Sequence, residues 1–344
     1  MPEGMMGRIE KQQEVAFGRV RFARFRLTKD ESILNSPALR GCSPAKLLRL
    51  IAAWNWKLTR LFGAGRQPQV VDDMLERRAN PTGRTATASI PRITLGGLRL
   101  AVLDIEQTAN FMIEMLFPER RIGRPLYLTS ANGEVLARCS SEPMTDRLFR
   151  AADLINADGQ PLVTVSRLTS SRPLPERVAT TDLFHVVARK AQAARLTFYM
   201  LGADETENAA AVARVRNMYP DLQIVGRCHG YLRGSALREK VDEINALAPD
   251  YLWVALGVPY EQAFVEEFTP YLFNVGVIKT SGGLFNFLSG SRARAPLWMQ
   301  RAGLEWAWRI WLEPRRLFWR YLTTNPRALY LLFNKSRSDR TPRA

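Results

Sequence analysis

The stretch that decides the fold is Leu196–Gly226, LTFYMLGADETENAAAVARVRNMYPDLQIVG. An apolar run, Leu196–Gly202, precedes a polar segment, Glu205–Met218, and a second apolar run starts at Leu222. Short apolar runs that alternate with helical segments are typical of parallel sheets. The stretch therefore predicts a strand, a helix and a second strand of one parallel sheet.

The same alternation extends along most of the chain. Ile93–Val102 predicts two short strands around Gly96 and Gly97, and Asp104, with Gln107 three residues later, predicts the cap of a helix that ends at Leu116. Further strands are predicted at residues 125–130, 251–257 and 274–279, and further helices at 181–194, 235–248 and 260–272. The sequence thus predicts an α/β domain over residues 91–290, with a Rossmann-like parallel sheet and helices on both faces.

Small or polar residues follow each predicted strand where a ligand would bind. The clusters are Ser130–Asn132, Gly202–Asp204, Cys228–Tyr231, Gly257–Pro259 and Ser281–Gly283. In a parallel sheet such clusters share the carboxyl edge. GxGxxG, GxxxxGK[ST] and GxSxG motifs are absent from the sequence, so dinucleotide oxidoreductases, P-loop NTPases and hydrolases have no support. We expect a Rossmann-like nucleotide fold without a standard phosphate loop.

Composition indicates an anionic partner and a reducing compartment. The 344 residues carry a formal charge of +16, which fits nucleic acid, anionic lipid or a phosphorylated substrate. Cys42, Cys139 and Cys228 are far apart, so neither a disulfide framework nor a zinc knuckle is predicted. Because no run of 18 apolar residues and no signal-peptide core occurs in the sequence, we expect the protein to remain in the cytoplasm.

A basic segment precedes the predicted domain. Residues 1–90 predict a partly disordered extension with one amphipathic helix, Pro44–Phe62. Contact with a membrane or partner and packing against the main domain are equally open for this helix.

A second basic segment, residues 291–344, follows the domain and is predicted to be helical. Within it, Trp298–Leu322 holds five of the eight tryptophans. At about 100° per residue, this stretch predicts an apolar stripe beside a cationic one. The apolar stripe comprises Trp308, Leu312, Trp319 and Leu322, and the cationic stripe comprises Arg309, Arg316 and Arg320. Pro314 is expected to break or kink the helix. The residues alone leave a bilayer surface and ordinary packing equally open.

Asp158 gains importance from its neighbours. The pair Asp158–Gly159 alone indicates a turn more than a site. It joins an ordered series of motifs, which are residues 130–134, 177–183, 201–202, 219–220, 229–231, 257–262, 282–290, 294–296, 304–306, Arg309 and 313–316. Over residues 91–325, this series resembles the WecG/TagA/CpsF family of bacterial glycosyltransferases.

The resemblance implies a fold of the GT-E type with a C-terminal helical appendage that associates with the membrane. It also implies inverting transfer from a UDP-sugar to a polyprenyl-diphosphate-linked sugar, in the synthesis of exopolysaccharide or another cell-surface polymer. Location would be the inner face of the cytoplasmic membrane. Association between copies of the chain is left open.

The resemblance also implies roles for single residues. Asp158 would be the general base that accepts a proton from the attacking hydroxyl. The residues expected to bind substrate are Ser130, Asn132, Gly202, His229, Tyr231, Glu261, Gln262 and Asn286. A lone histidine such as His229 is more often structural. The sequence departs from the family at Ser130, Thr180, Glu261–Gln262, where acid and amide are exchanged, and Asn286, which leaves the donor sugar unassigned.

Arginines are expected to stabilise the departing diphosphate. The sequence has no Asp-x-Asp, so neither a metal nor another cofactor is expected. Arg309 and Arg316 match arginines to which the family assigns this role, and Arg320 lies near a third.

Two alternatives to a transferase remain. The aromatic and basic residues would also suit a nucleic-acid-binding protein, and the departures would suit a relative that only binds a nucleotide. Because the tryptophans are concentrated in one helical region, we do not expect nucleic acid as a partner.

Overall fold

Six parallel strands form the central sheet of the computed structural model, which describes residues 87, 89–117, 124–301 and 304–336. The strands are β3 (Leu126–Ala131), β4 (Leu154–Ala157), β5 (Thr197–Gly202), β6 (Gln223–Cys228), β7 (Tyr251–Ala255) and β8 (Val277–Thr280). Their order across the sheet is β4-β3-β8-β7-β5-β6. Before them, β1 (Arg92–Leu95) and β2 (Leu98–Ala101) form an antiparallel pair. The predicted basic extension, with Pro44–Phe62 and Cys42, lies outside the described residues except at its C-terminal end.

Helices follow most of the strands, as the alternation predicts. In chain order they are α1 (Ile105–Glu114), α2 (Gly133–Ser141), α3 (Pro143–Arg150), α4 (Gln160–Thr169), α5 (Thr180–Ala194), α6 (Glu205–Met218), α7 (Gly234–Leu247), α8 (Tyr260–Phe268), α9 (Leu284–Ser289), α10 (Leu297–Arg301), α11 (Glu305–Leu312) and α12 (Pro314–Asn334).

Successive residues of a strand pack on opposite faces of the sheet. Phe198 and Met200 of β5 join the core formed with α1, α5, α6 and α9. Tyr199 and Leu201 join the core formed with α7 and α8. All four side chains are buried. Both faces are therefore covered, which explains the continuous apolar runs in the sequence and confirms the predicted parallel sheet with surrounding helices.

Polar residues at strand ends also start the helices. Asp104 and Gln107 form the predicted capping box of α1. Asn132 and Asp204 cap α2 and α6 by accepting backbone N–H groups at 3.1 and 2.8 Å. Side-chain caps satisfy N–H groups that the first helical turn leaves unpaired.

The stretch Trp298–Leu322 is divided among α10, α11 and α12. The chain leaves helical geometry at Glu313 (φ −133°, ψ 63°), and Pro314 becomes the first residue of α12. Proline suits this position because it has no N–H to donate. The predicted break at Pro314 is confirmed, but the stripe that joined Trp308 to Trp319 does not exist, since these residues belong to different helices.

The final helix packs on the domain. Leu331 and Leu332 of α12 are buried in a core with β1, β2, α2 and α4. The Gly97 amide donates to the Lys335 carbonyl at 2.9 Å. Within the described ranges, no helix has the length and apolar character needed to span a bilayer.

Gly202 generates a stability prediction. It has φ +139°, and an added Cβ would lie 2.2 Å from the carbonyl oxygen of Ala255 on the neighbouring strand. We expect Gly202→Ala to lower the free energy of unfolding by at least about 3 kcal/mol, because backbone strain and a backbone clash combine. Chemical denaturation measures this loss.

Gly234→Ala is the matched control. Gly234 also has positive φ, but an added Cβ meets nothing within 4 Å. Its loss should be about 1 kcal/mol. Equal losses in the two variants would contradict the close packing of β5 on β7.

Candidate active site

A cavity of about 680 Å³ opens at the carboxyl edge of the sheet. Each of the five clusters predicted for this edge contributes at least one residue to its wall. These residues are Ser130, Asn132, Ala203, Asp204, Tyr231, Gly257, Val258, Ser281, Gly282 and Gly283. The topology thus brings together residues that lie more than 150 positions apart in the sequence, as expected for a parallel sheet.

The C-terminal helices α11 and α12 form the wall of the cavity that the sheet edge does not supply. Trp308, Arg309 and Leu312 of α11 and Leu317 of α12 line it. The Trp308 indole donates to the Ala293 carbonyl at 3.4 Å. The cavity therefore has a wall from the sheet edge and a wall from the end of the chain.

Four charged side chains fasten α11 to the domain, and we call them the clamp: Arg177, Asp182, Arg294 and Glu305. Arg294 donates to both carboxylate oxygens of Asp182, and Arg177 donates to Glu305. Weaker pairs join Arg177 to Asp182 at 3.8 Å and Arg294 to Glu305 at 3.9 Å. Each arginine thus meets both carboxylates, and each carboxylate meets both arginines.

Asp158 directly follows β4 and is held at two points. Its backbone N–H donates to the Ala131 carbonyl at 2.8 Å, which continues the sheet ladder. Its Oδ2 accepts from the Thr180 amide at 3.2 Å and from the Thr180 hydroxyl at 3.1 Å. The two hydrogen bonds from Thr180 orient the carboxylate, and Asp158 lines the large cavity.

A second cavity of about 270 Å³ shares Asp158 with the first. Asn132, Glu134, Glu305 and Arg309 also line both cavities. The remaining wall comes from the start of α4 and from one face of α12: Gly159, Gln160, Pro161, Asn325, Ala328, Leu329 and Leu332, with Gly133, Arg177 and Trp306. A carboxylate shared by two cavities can contact groups held in both.

The side chains of Glu261 and Gln262 are buried. Glu261 lines the large cavity, but its Oε2 accepts from the Gly282 amide at 2.8 Å and its Oε1 from the Gln262 amide at 3.2 Å. Burial raises the pKa of Glu261. Gln262 donates to Thr129 at 3.2 Å and does not line the cavity. Glu261 thus holds the Gly282 loop through a hydrogen bond, and Gln262 donates a hydrogen bond to Glu261.

The other predicted residues divide between the cavity and its surroundings. Ser130, Asn132, Tyr231, Asn286 and Arg309 line the large cavity. Gly202 packs against Ala255, and the His229 ring accepts from the Tyr231 amide at 3.2 Å; neither lines the cavity. The side chains of Arg316 and Arg320 lie outside the described part of the structure. No group of three or more potential metal ligands occurs among the described residues.

A sequence model of the glycosyl transferase WecG/TagA/CpsF family matches residues 93–342. The chain belongs to this family of glycosyltransferases. A relative from Bacillus spizizenii, named N-acetylglucosaminyldiphosphoundecaprenol N-acetyl-beta-D-mannosaminyltransferase, is 32% identical over 63% of this chain and 82% of its own length. A Bacillus subtilis protein of the same name is 28% identical over 67% of this chain and 86% of its own length.

Two arginines that the sequence did not predict for the site of this glycosyltransferase line its large cavity. Arg292 and Arg294 line the large cavity beside Arg309. Arg292 pairs with Glu313 at 3.4 Å, and Arg294 belongs to the clamp. The Arg309 guanidinium lies 5.5 Å from the centre of the Phe287 ring. Arg294 stood within a family motif, but nothing local in the sequence assigned it to the cavity.

Lys279 is a third residue near the site that the sequence did not predict. It lies in β8 and is fully buried, and its ammonium group donates to the Ser130 hydroxyl and the Thr280 carbonyl, both at 2.9 Å. Burial lowers the pKa of Lys279 to about 8, against the opposing effect of the Asp158 and Glu261 carboxylates. The signal in the sequence that could have identified Lys279 was its position as a lysine at the end of a predicted buried strand.

Proposed function

We propose that this glycosyltransferase moves a sugar, with inversion, from a UDP-sugar to a polyprenyl-diphosphate-linked sugar. The observation that carries the proposal is that Asp158 lines both cavities. A transferase must bring a donor and an acceptor to one reacting atom, and a carboxylate at that point can take the proton. The names of the two Bacillus relatives support the acceptor class.

The large cavity suits the donor. Its volume of about 680 Å³ falls within the usual range of about 300–1,000 Å³ for small-molecule sites. Arg309 makes no ion pair with a residue of the described ranges, so its guanidinium is available to a diphosphate. Arg292 lines the same cavity and pairs only loosely with Glu313, at 3.4 Å. Arginines in this position stabilise the negative charge that develops on the leaving UDP.

The small cavity suits the acceptor sugar. Its wall combines polar groups from Asn132, Gln160 and Asn325 with apolar surface from Ala328 and Leu329. Polar groups can orient the sugar, and the apolar face of α12 leads away from the reacting centre.

The reaction then follows from the positions of the groups. The acceptor hydroxyl oxygen attacks the anomeric carbon, and its proton moves to the Asp158 carboxylate. The bond from the anomeric carbon to the diphosphate oxygen breaks, and UDP leaves with the electron pair. Attack and departure occur on opposite sides of the carbon, so its configuration inverts.

The outer face of α12 supports a membrane location. Trp319, Leu322, Leu329, Tyr330 and Phe333 are exposed, and at about 100° per residue they fall within an arc of about 100°. Leu317, Ala328, Leu331 and Leu332 face the protein on the opposite side and are buried. A helix that packs on one face and exposes aromatic residues on the other suits the interfacial region of a bilayer. We propose that this face rests on the inner surface of the cytoplasmic membrane.

The biological setting that fits these substrates is the synthesis of a bacterial cell-surface polymer such as an exopolysaccharide. A lipid-linked acceptor stays in the membrane, so a transferase at the inner surface meets both the acceptor and a soluble UDP-sugar. The charge of +16 favours a surface rich in anionic lipid.

Asp158→Asn tests the base. We expect kcat for transfer to a lipid-diphosphate sugar to fall by about 10³-fold, because the amide cannot accept the proton. The dissociation constant for UDP should change less than about threefold. Turnover is measured with UDP-N-acetylmannosamine, UDP-N-acetylglucosamine and UDP-glucose as donors.

The control is Asp146→Asn, which removes a surface carboxylate paired with Arg150 and should leave turnover unchanged. Full turnover in Asp158→Asn would remove Asp158 as base. UDP binding by the wild-type protein, without transfer from any donor, would favour the alternative of a nucleotide-binding relative.

The exposed face of α12 generates a second prediction. We expect the double variant Tyr330→Gln and Phe333→Gln to bind anionic vesicles at least about tenfold more weakly, since two aromatic side chains lose apolar burial. Co-sedimentation with phosphatidylglycerol vesicles measures the loss. The matched control changes Leu168 and Tyr271, which are 73% and 51% exposed on other surfaces, to Gln. Equal effects of the two double variants would contradict this membrane face.

A further inference from the structure

Lys279 stands out as a buried cation whose hydrogen-bond partners are neutral. It lies in β8, between β3 and β7 in the sheet, and no part of it is exposed. Its ammonium group donates to the Ser130 hydroxyl and the Thr280 carbonyl. Burying an ammonium group is costly unless nearby negative charge offsets the lost hydration. The two carboxylates that act on Lys279 are those of Asp158 and Glu261.

Glu261 is already committed to other partners. Its two oxygens accept from the Gly282 amide and from Gln262. Asp158 differs, because a continuous series of side-chain contacts leads to it from Lys279. The Ser130 hydroxyl lies 3.2 Å from the Thr180 hydroxyl, which lies 3.1 Å from Asp158 Oδ2.

Proton counting gives this series a direction. A hydroxyl carries one proton, so Thr180 can donate to Ser130 or to Asp158, but not to both. Because the Ser130 oxygen accepts from Lys279, the Ser130 proton can be donated to Thr180. The Thr180 proton is then donated to Asp158. Every bond in the series runs from the cation toward the anion, and aligned hydrogen bonds strengthen one another.

We infer that Lys279 is a positioning residue for Asp158 and acts on it through the hydroxyl groups of Ser130 and Thr180. The inference rests on the proposed function, in which Asp158 is the base. Lys279 does not contact the substrate in this scheme. It fixes the direction of the hydroxyl bonds, so that Asp158 Oδ2 stays bonded and the carboxylate keeps its orientation.

The test is the pH dependence of kcat/KM. Asp158 must be ionised to accept a proton, so activity falls on the acidic side of the profile. We expect Lys279→Met to move this acidic limb upward by about one pH unit, since removing a cation disfavours the carboxylate anion. Thr180→Val should move it in the same direction. In both variants kcat should fall more than KM rises.

A double variant separates the hydroxyl route from direct charge attraction. If Lys279 acts through Ser130, Lys279→Met and Ser130→Ala remove the same effect. The acidic limb of the double variant should then move no further than the limb of whichever single variant moves more. Additive movement would overturn this route. An acidic limb that stays in place in Lys279→Met, with activity lowered equally at every pH, would show a merely structural role.

Thr108→Val is the control for loss of a buried threonine hydroxyl. Thr108 is fully buried, donates to the Asp104 carbonyl at 2.7 Å, accepts from Asn156 at 3.4 Å and lines neither cavity. The acidic limb of the pH profile of Thr108→Val should stay in place. If Lys279→Met does not fold, Thr180→Val decides the question, and an unmoved limb in that variant overturns the inference.

A stability measurement checks the buried cation without using activity. The pKa of Lys279 is about 8 in the folded protein and about 10.5 when the chain unfolds. Between these pH values the unfolded chain binds more protons, so the folded state gains stability as pH rises. We expect the Tm of the wild type, relative to Lys279→Met, to rise from pH 8 to pH 10. A constant difference would contradict the buried ammonium group. Absence of transfer in the wild type would contradict the proposed function instead.

Discussion

The clamp formed by Arg177, Asp182, Arg294 and Glu305 is the interaction on which the two cavities depend. The sheet supplies only one wall at its carboxyl edge, and α11 must be fixed above that edge to supply the other. Arg177 is largely buried, with 12% of its side chain exposed, so these charges are less screened than surface pairs. Removing one member leaves two partly buried charges of one sign facing a single opposite charge. The clamp therefore links the end of the chain to the chemistry at Asp158.

Asp158 itself depends on a second set of contacts, which come from the strands β3 and β8 and the helix α5. The Ala131 carbonyl fixes its backbone, and Thr180 fixes its carboxylate. Behind Thr180 lie Ser130 on β3 and Lys279 on β8. Asp158 is thus bonded to rigid elements, and residues of α11 and α12 line the two cavities beside it. Position and rigidity are what a proton acceptor in a displacement reaction requires.

Much of the fold was predictable from the sequence, because parallel strands buried on both faces leave continuous apolar runs such as Leu196–Gly202. The carboxyl-edge clusters followed from topology alone. The break at Pro314 was predicted, but the stripe from Trp308 to Trp319 was wrong, since a helical projection assumes one continuous helix across the break. Lys279 and the clamp were not predictable for another reason. Arg177 and Glu305 are 128 residues apart, and Lys279 and Ser130 are 149 apart, so no local pattern records either contact.

The central claim, that the donor occupies the large cavity with its sugar directed at Asp158, is tested most directly by a crystal structure of Asp158→Asn with an intact UDP-sugar. We expect the diphosphate beside Arg309 and Arg292, the anomeric carbon facing residue 158, and the small cavity without nucleotide. Nucleotide in the small cavity, or a sugar directed away from residue 158, would contradict the account.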